Sequence, residues 1–158
     1  MKTILSLIIL FSVISFAQTQ SLVLRNNEIV LGMSKDKVWE KLDTDLNIIE
    51  DDAGSLFISD KNDNPIGIIQ FENERVSKVI KDWGTGFKSN VGQVFLTLWR
   101  IFRQYGEEVE PVKVLPIQTF TPKGEKNSMQ FVINEYRYID ITIQHKVTIF
   151  EILAEPEV

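Results

Sequence analysis

The chain of 158 residues contains no cysteine and a single histidine. Lacking cysteine, it can form no disulfide, thiolate metal site or thiol nucleophile and cannot carry an acylated N-terminal cysteine, so its fold has to rest on an apolar core. Beyond Phe16 no apolar stretch approaches the roughly 20 residues a spanning helix needs. Basic clusters are also missing, with nothing denser than Lys78 and Lys81, and the formal charge is −5. A surface of that sign does not attract nucleic acid or anionic membrane, and neither is expected as a partner. The sequence shows no Gly-x-Ser-x-Gly elbow, His-Glu-x-x-His helix, phosphate-cradling loop or dinucleotide fingerprint. His145 falls in a predicted turn beside Lys146 and reads as a solvated turn residue, not a catalytic base. Paired carboxylates meet only in space, so a hydrolase built on them stays open as a lesser alternative.

What the chain does have begins at its start. Lys2 is the only charge ahead of an apolar run from Ile4 to Phe16, and Ser15 and Ala17 supply the small residues of a cleavage site. Residues 1–17 therefore read as a secretory signal peptide. Cutting after Ala17 removes 17 of 158 residues and leaves 141, and the loss of Lys2 takes the charge from −5 to −6. That length suits one domain, residues 18–158, working in the periplasm or the secreted space.

Leu22-Val23-Leu24 and Ile29-Val30-Leu31 flank Asn26-Asn27 and predict a small hairpin, since asparagine tolerates the left-handed conformation of tight turns. Ser34 is a natural N-cap for a short helix in which Val38, Trp39 and Leu42 share a face, with Asp36 favouring its positive end. Asp43 to Asp52, with five carboxylates, reads as a solvated connection. Leu56–Ile58, Ile66–Phe71 and Arg75–Trp83 follow as strands. Helical spacing also fits Val76, Val79, Ile80 and Trp83, but the two-residue turn Asn73-Glu74 and the glycines after Trp83 favour a strand. Asp60 to Asn64 has the opening letters of a calcium loop, yet Pro65 stands where that loop needs glycine and Phe71 where it needs glutamate. An Asx-rich turn accounts for the same letters.

Asn90 to Tyr105 is the clearest element. Val91, Val94, Phe95, Leu98, Ile101, Phe102 and Tyr105 form one helical stripe, with Asn90 as N-cap and Gly106 as the stop. At 100° per residue Trp99 lies at the edge of that stripe, with Leu96 about 60° further round and Arg103 between them. Tryptophan and arginine are enriched among binding hot spots, which makes Leu96, Trp99 and Arg103 a candidate partner-binding patch. Glu107, Glu108, Glu110 and Pro111 then read as a solvated acidic exit.

The remainder is β: Val112–Phe120, demoted to an edge or bulge by Pro116; a polar turn over residues 122–127; Met129–Ile133; a regular strand in which Ile139, Ile141 and Ile143 alternate with Tyr138, Asp140 and Thr142, one face buried and the other wet; and Val147–Leu153. Each half is a helix followed by three strands, and Ile68-Ile69-Gln70-Phe71 to Val79-Ile80 reads like Ile141-Thr142-Ile143-Gln144 to Ile149-Phe150. This layout, led in by Gly32-Met33-Ser34 and with Trp83 ending the first hairpin, resembles the β-lactamase-inhibitor-like superfamily, which includes small outer-membrane assembly lipoproteins. The chain departs from it in lacking both the acylated cysteine of those lipoproteins and the disulfides usual in inhibitors. The resemblance implies an exported binding module without catalysis.

The expectation is thus an α+β fold, an antiparallel sheet with two helices on one face and a candidate tandem α-β-β-β repeat. It is expected to bind another envelope or secreted protein, with no cofactor and no metal. A small-molecule or lipid carrier using a cavity between helix and sheet is the alternative.

Overall fold

The structure is a computed structural model that describes residues 20–87, 91–105, 113–122, 124–144 and 146–156, with backbone alone at 85–87 and 91. The expected signal peptide, His145, the expected acidic exit at 107–111 and the expected caps Asn90 and Gly106 lie outside the described residues.

A two-stranded hairpin, β1 (Ser21–Leu24) and β2 (Asn27–Val30), precedes helix α1 (Lys35–Lys41). The strands β3 (Asn47–Glu50), β4 (Leu56–Ser59), β5 (Pro65–Glu72) and β6 (Arg75–Phe87) follow, then helix α2 (Val91–Tyr105). The chain ends with β7 (Lys113–Thr121), β8 (Gly124–Val132), β9 (Arg137–Ile143) and β10 (Lys146–Ala154). These last eight strands form one antiparallel sheet in the order β3-β4-β5-β6-β10-β9-β8-β7. The fold is α+β, and each helix is followed by four strands, one more than the three of the repeat reading; the four after α2 are the strands the sequence predicts. The additional strand of the first half is β3, within the segment expected to be a solvated connection. Ile48 and Ile49 pair with Ile58 and Phe57 across from them, and this pairing outweighs the surrounding carboxylates.

Several local expectations are corrected. The first hairpin turns at Arg25-Asn26, with Arg25 left-handed at φ 58°, because Leu24 pairs with Asn27. That register buries Leu22, Leu24 and Ile29 together and lets Asn27 donate to Asp43 Oδ2 at 3.2 Å. The Ser34 hydroxyl makes no cap hydrogen bond. The lead-in to α1 is held instead by backbone pairing with the start of β6: Gly32 N–H to Val76 O at 2.8 Å and Val76 N–H to Met33 O at 2.9 Å. In α1 only Val38 is buried, joined by the C-cap residue Leu42, and Trp39 is exposed, since two turns of helix present little more than one i, i+4 pair to a sheet. The turn at Asp60 does follow the Asx reading: its Oδ1 accepts from the backbone N–H of Asn62 at 2.8 Å and of Asn64 at 3.0 Å. Asn73 and Glu74 are both left-handed, as a two-residue hairpin turn with the twist of its strands requires. Pro116 lies on β7, an edge of the sheet.

Two apolar clusters result. Val38 of α1, Leu42 just after it and Leu22, Leu24 and Ile29 of the hairpin pack with Leu56, Ile58, Ile69, Val79 and Leu153. Ile101 of α2, with Leu98 and Phe102 beside it, packs with Ile139, Ile141, Val147 and Ile149. Phe102 meets Phe131 edge to face, with centroids 5.9 Å apart. Phe95, expected in the buried stripe, is 67% exposed. Among the described residues the stripe narrows to Val94, Leu98, Ile101, Phe102 and Tyr105.

Candidate functional site

Strand β10 alternates Val147, Ile149, Glu151 and Leu153 toward one side, so a carboxylate sits in a row of core residues. Glu151 is fully buried between the two clusters. Trp83 Nε1–H donates to its Oε2 at 2.9 Å, and the Tyr105 hydroxyl donates to its Oε1. Arg137 brings its Nη1 to 3.8 Å from Oε1, lays its guanidinium 5.0 Å from the Tyr105 ring centroid, and donates through Nη2 to the Ser21 carbonyl of β1. Lys81, paired with Glu151 across β6 and β10, covers the Trp83 ring at 4.2 Å. Burial raises the Glu151 carboxyl above its ordinary value, against the Trp83 hydrogen bond and the charge of Lys81, which lower it. Burial also lowers Lys81 and Arg137. The network is a clasp joining β1, α2, β6, β9 and β10.

The opposite side of the sheet is different in kind. Ile49 pairs with Phe57, Phe57 with Ile68, Ile68 with Ile80, Ile80 with Ile152, Ile152 with Tyr138, and Tyr138 with Val132. The register thus lines up a belt of seven large side chains across seven strands, about 30 Å at the ordinary strand spacing. Ile49 is 68% and Phe57 43% exposed, Ile68, Ile80, Tyr138 and Val132 are half-buried, and Ile152 is buried at 6%; neither apolar cluster includes a residue of this belt. A groove of about 230 Å³ opens along it, with Ile49, Phe57, Ile68, Ile80, Asp82 and Phe150 in its walls. One row away Phe150 pairs with Asp82 on β6 and with Asp140 on β9. Burial raises both carboxyls; the Gly84 N–H opposes it at Asp82, and Thr142, Lys126 and Lys78 oppose it at Asp140. The alternation on β9 is therefore not dry against wet. Tyr138, Asp140 and Thr142 are half-buried, shielded by bulky neighbours on the adjoining strands.

The patch expected on α2 is on the surface. Leu96 is 53% and Trp99 60% exposed, and Arg103 is exposed with them. Phe95 joins them, so the outer side of α2 is more apolar than the sequence stripe implies. The clasp and the belt escaped the sequence reading. Glu151 could have been found there as a charge at an inward position of a regular strand. The belt could not, because it exists only once eight strands are in register.

Comparison with known proteins returns no match: no protein-family model, no curated protein and no solved structure corresponds to this chain.

Proposed function

We propose that the chain is an exported, non-catalytic module that binds another envelope or secreted protein through the uncovered side of its sheet. The observation that carries this is the exposed end of the belt, Ile49 and Phe57, running into the groove walled by Ile68, Ile80 and Phe150. Contiguous apolar surface left facing solvent is costly unless something covers it, and a soluble domain that keeps one uses it for contact. The space between helices and sheet supports this over a carrier, since Ile101, Ile139 and Leu153 are fully buried there and fill it. A hydrolase using Asp82 and Asp140 is disfavoured because the Phe150 side chain stands between the two carboxylates. The strand order, with β6 and β10 adjoining at the centre, supports two helix-plus-sheet units joined through their last strands, both helices on one side and the other side free. The outer face of α2, with Leu96, Trp99 and Arg103, is a second contact surface of the same module.

Photo-crosslinking in intact cells tests the reading. A benzophenone side chain at position 57 should give a discrete adduct with a second protein, and one at position 40 on the outer side of α1 should not. Adducts from position 99 alone would move the interface to α2, and none from either position would remove the binding function.

A further inference from the structure

The belt is apolar, but its margin is not. A partner that covered Ile80 and Phe150 in the groove with hydrocarbon alone would also bury Asp82 and Asp140, and an ionised carboxylate taken out of water without a partner costs several kcal/mol. Any occupant of this face must answer those two charges, and within the chain they are only partly answered. Asp82 Oδ1 accepts the Gly84 N–H at 2.6 Å, and Asp140 Oδ2 accepts the Thr142 hydroxyl at 3.3 Å. Asp140 Oδ1 is buried without a hydrogen-bond partner. Among the described residues neither carboxylate forms an ion pair; Lys78 and Lys126 act on Asp140 only at longer range. Between the two carboxylates stands an aromatic ring, since directly paired residues on neighbouring strands hold their side chains about 5 Å apart. The bulge in β6 helps set this arrangement. β6 runs from Thr85 to Asp82 while β10 runs from Thr148 to Phe150, so the extra residue falls beside Asp82, and bulges of this sort re-aim the side chains next to them.

We propose, building on the open-face reading, that the protein partner seats an arginine side chain over Phe150 between Asp82 and Asp140 while its apolar surface lies along the belt. A guanidinium suits the place better than an ammonium. It is planar and stacks on a ring face, its fork carries five donors for two carboxylates, and it sheds water more readily. The broad χ2 of aspartate lets either oxygen of each carboxylate turn to meet it. Arginine at that point neutralises what the apolar contact would otherwise strand, so the belt supplies affinity and the two aspartates select the partner.

The test uses the exported, 15N-labelled protein and three short alternating valine-threonine peptides with arginine, glutamine or glutamate at the centre. The arginine peptide should shift the amides of Ile80, Asp82, Asp140 and Phe150 and bind about tenfold tighter than the glutamine peptide. The glutamate peptide should be weakest. Asp82→Asn/Asp140→Asn, which keeps an acceptor for the Gly84 N–H, should abolish the preference while leaving the thermal midpoint the same or higher. Equal binding of all three peptides with shifts on the belt would overturn the arginine seat and leave the open-face reading standing. Shifts confined to the outer side of α2, or none on the belt with any peptide, would overturn both.

Discussion

The Tyr105 hydroxyl donates a hydrogen bond to the Glu151 carboxylate across 46 residues of sequence, tying the last residue of α2 to the middle of β10. The same carboxylate takes the Trp83 indole from β6, and Arg137 beside it reaches to the Ser21 carbonyl of β1. One buried charge thus links two apolar clusters that otherwise share only the sheet. A buried pair of this sort is sensitive to losing either member, because the survivor stays in the interior uncompensated.

Glu151→Ala should therefore destabilise the domain by about 3 to 5 kcal/mol. Replacing both partners, Glu151→Leu with Arg137→Met, should recover much of that loss, since no unpaired charge remains. Urea unfolding of the two variants checks it, and a double variant no better than the single one would show that the pair itself supplies the stability.

The pH dependence follows from burial. Glu151, Asp82 and Asp140 all have carboxyls raised in the folded state, so the native protein binds protons that the unfolded chain releases. Their contribution is fully present below the ordinary values of 4.5 and 3.8 and is lost as pH rises through the higher folded values. Asp60 acts oppositely. Its side-chain hydrogen bond with Asn64 lowers its carboxyl, so its contribution is lost as pH falls through its depressed folded value. The melting temperature should rise on mild acidification from neutrality and fall again in strong acid. Glu151→Gln should flatten the rising limb in a calorimetric series.

Packing gives a contrast within one helix. Ile101→Ala should cost about 2 to 5 kcal/mol, because that side chain is fully buried, whereas exposed Phe95→Ala should stay within about 0.5 kcal/mol. At Gly67 an added Cβ would lie 2.3 Å from the Ile80 carbonyl oxygen and 2.9 Å from Leu24 Cδ2, so Gly67→Ala should cost about 3 kcal/mol. Thermal melts of the three variants read the order directly.

Trp99→Ala removes an exposed side chain and should leave stability within about 0.5 kcal/mol. If α2 contributes to the interface, the variant should weaken partner capture about 30-fold, the scale of a hot-spot residue. Unchanged capture would restrict the interface to the sheet.

Protein recovered from the exported fraction should begin at Gln18, the residue after the expected cleavage at Ala17. Edman sequencing that returned Met1 would contradict the signal-peptide reading.

The sequence by itself determined which segments became helix and strand wherever one period ran unbroken. The stripe from Val94 to Tyr105, the alternation of Ile139 and Ile141, and the turn at Asn73-Glu74 each carry their own local instruction. It could also place the Leu96, Trp99 and Arg103 face, because 100° per residue fixes who is neighbour to whom on a helix. Tertiary structure decided the rest. Asn47 to Glu50 became a strand only because β4 offered Ile58 and Phe57 as partners, and Phe95 stayed outside because α2 meets the sheet along a narrower line than its apolar stripe. Glu151 found Tyr105, Trp83 and Arg137 from three separate elements. The belt and the carboxylates flanking Phe150 were decided by register, since cross-strand neighbours are set by pairing between distant segments and no local pattern records them.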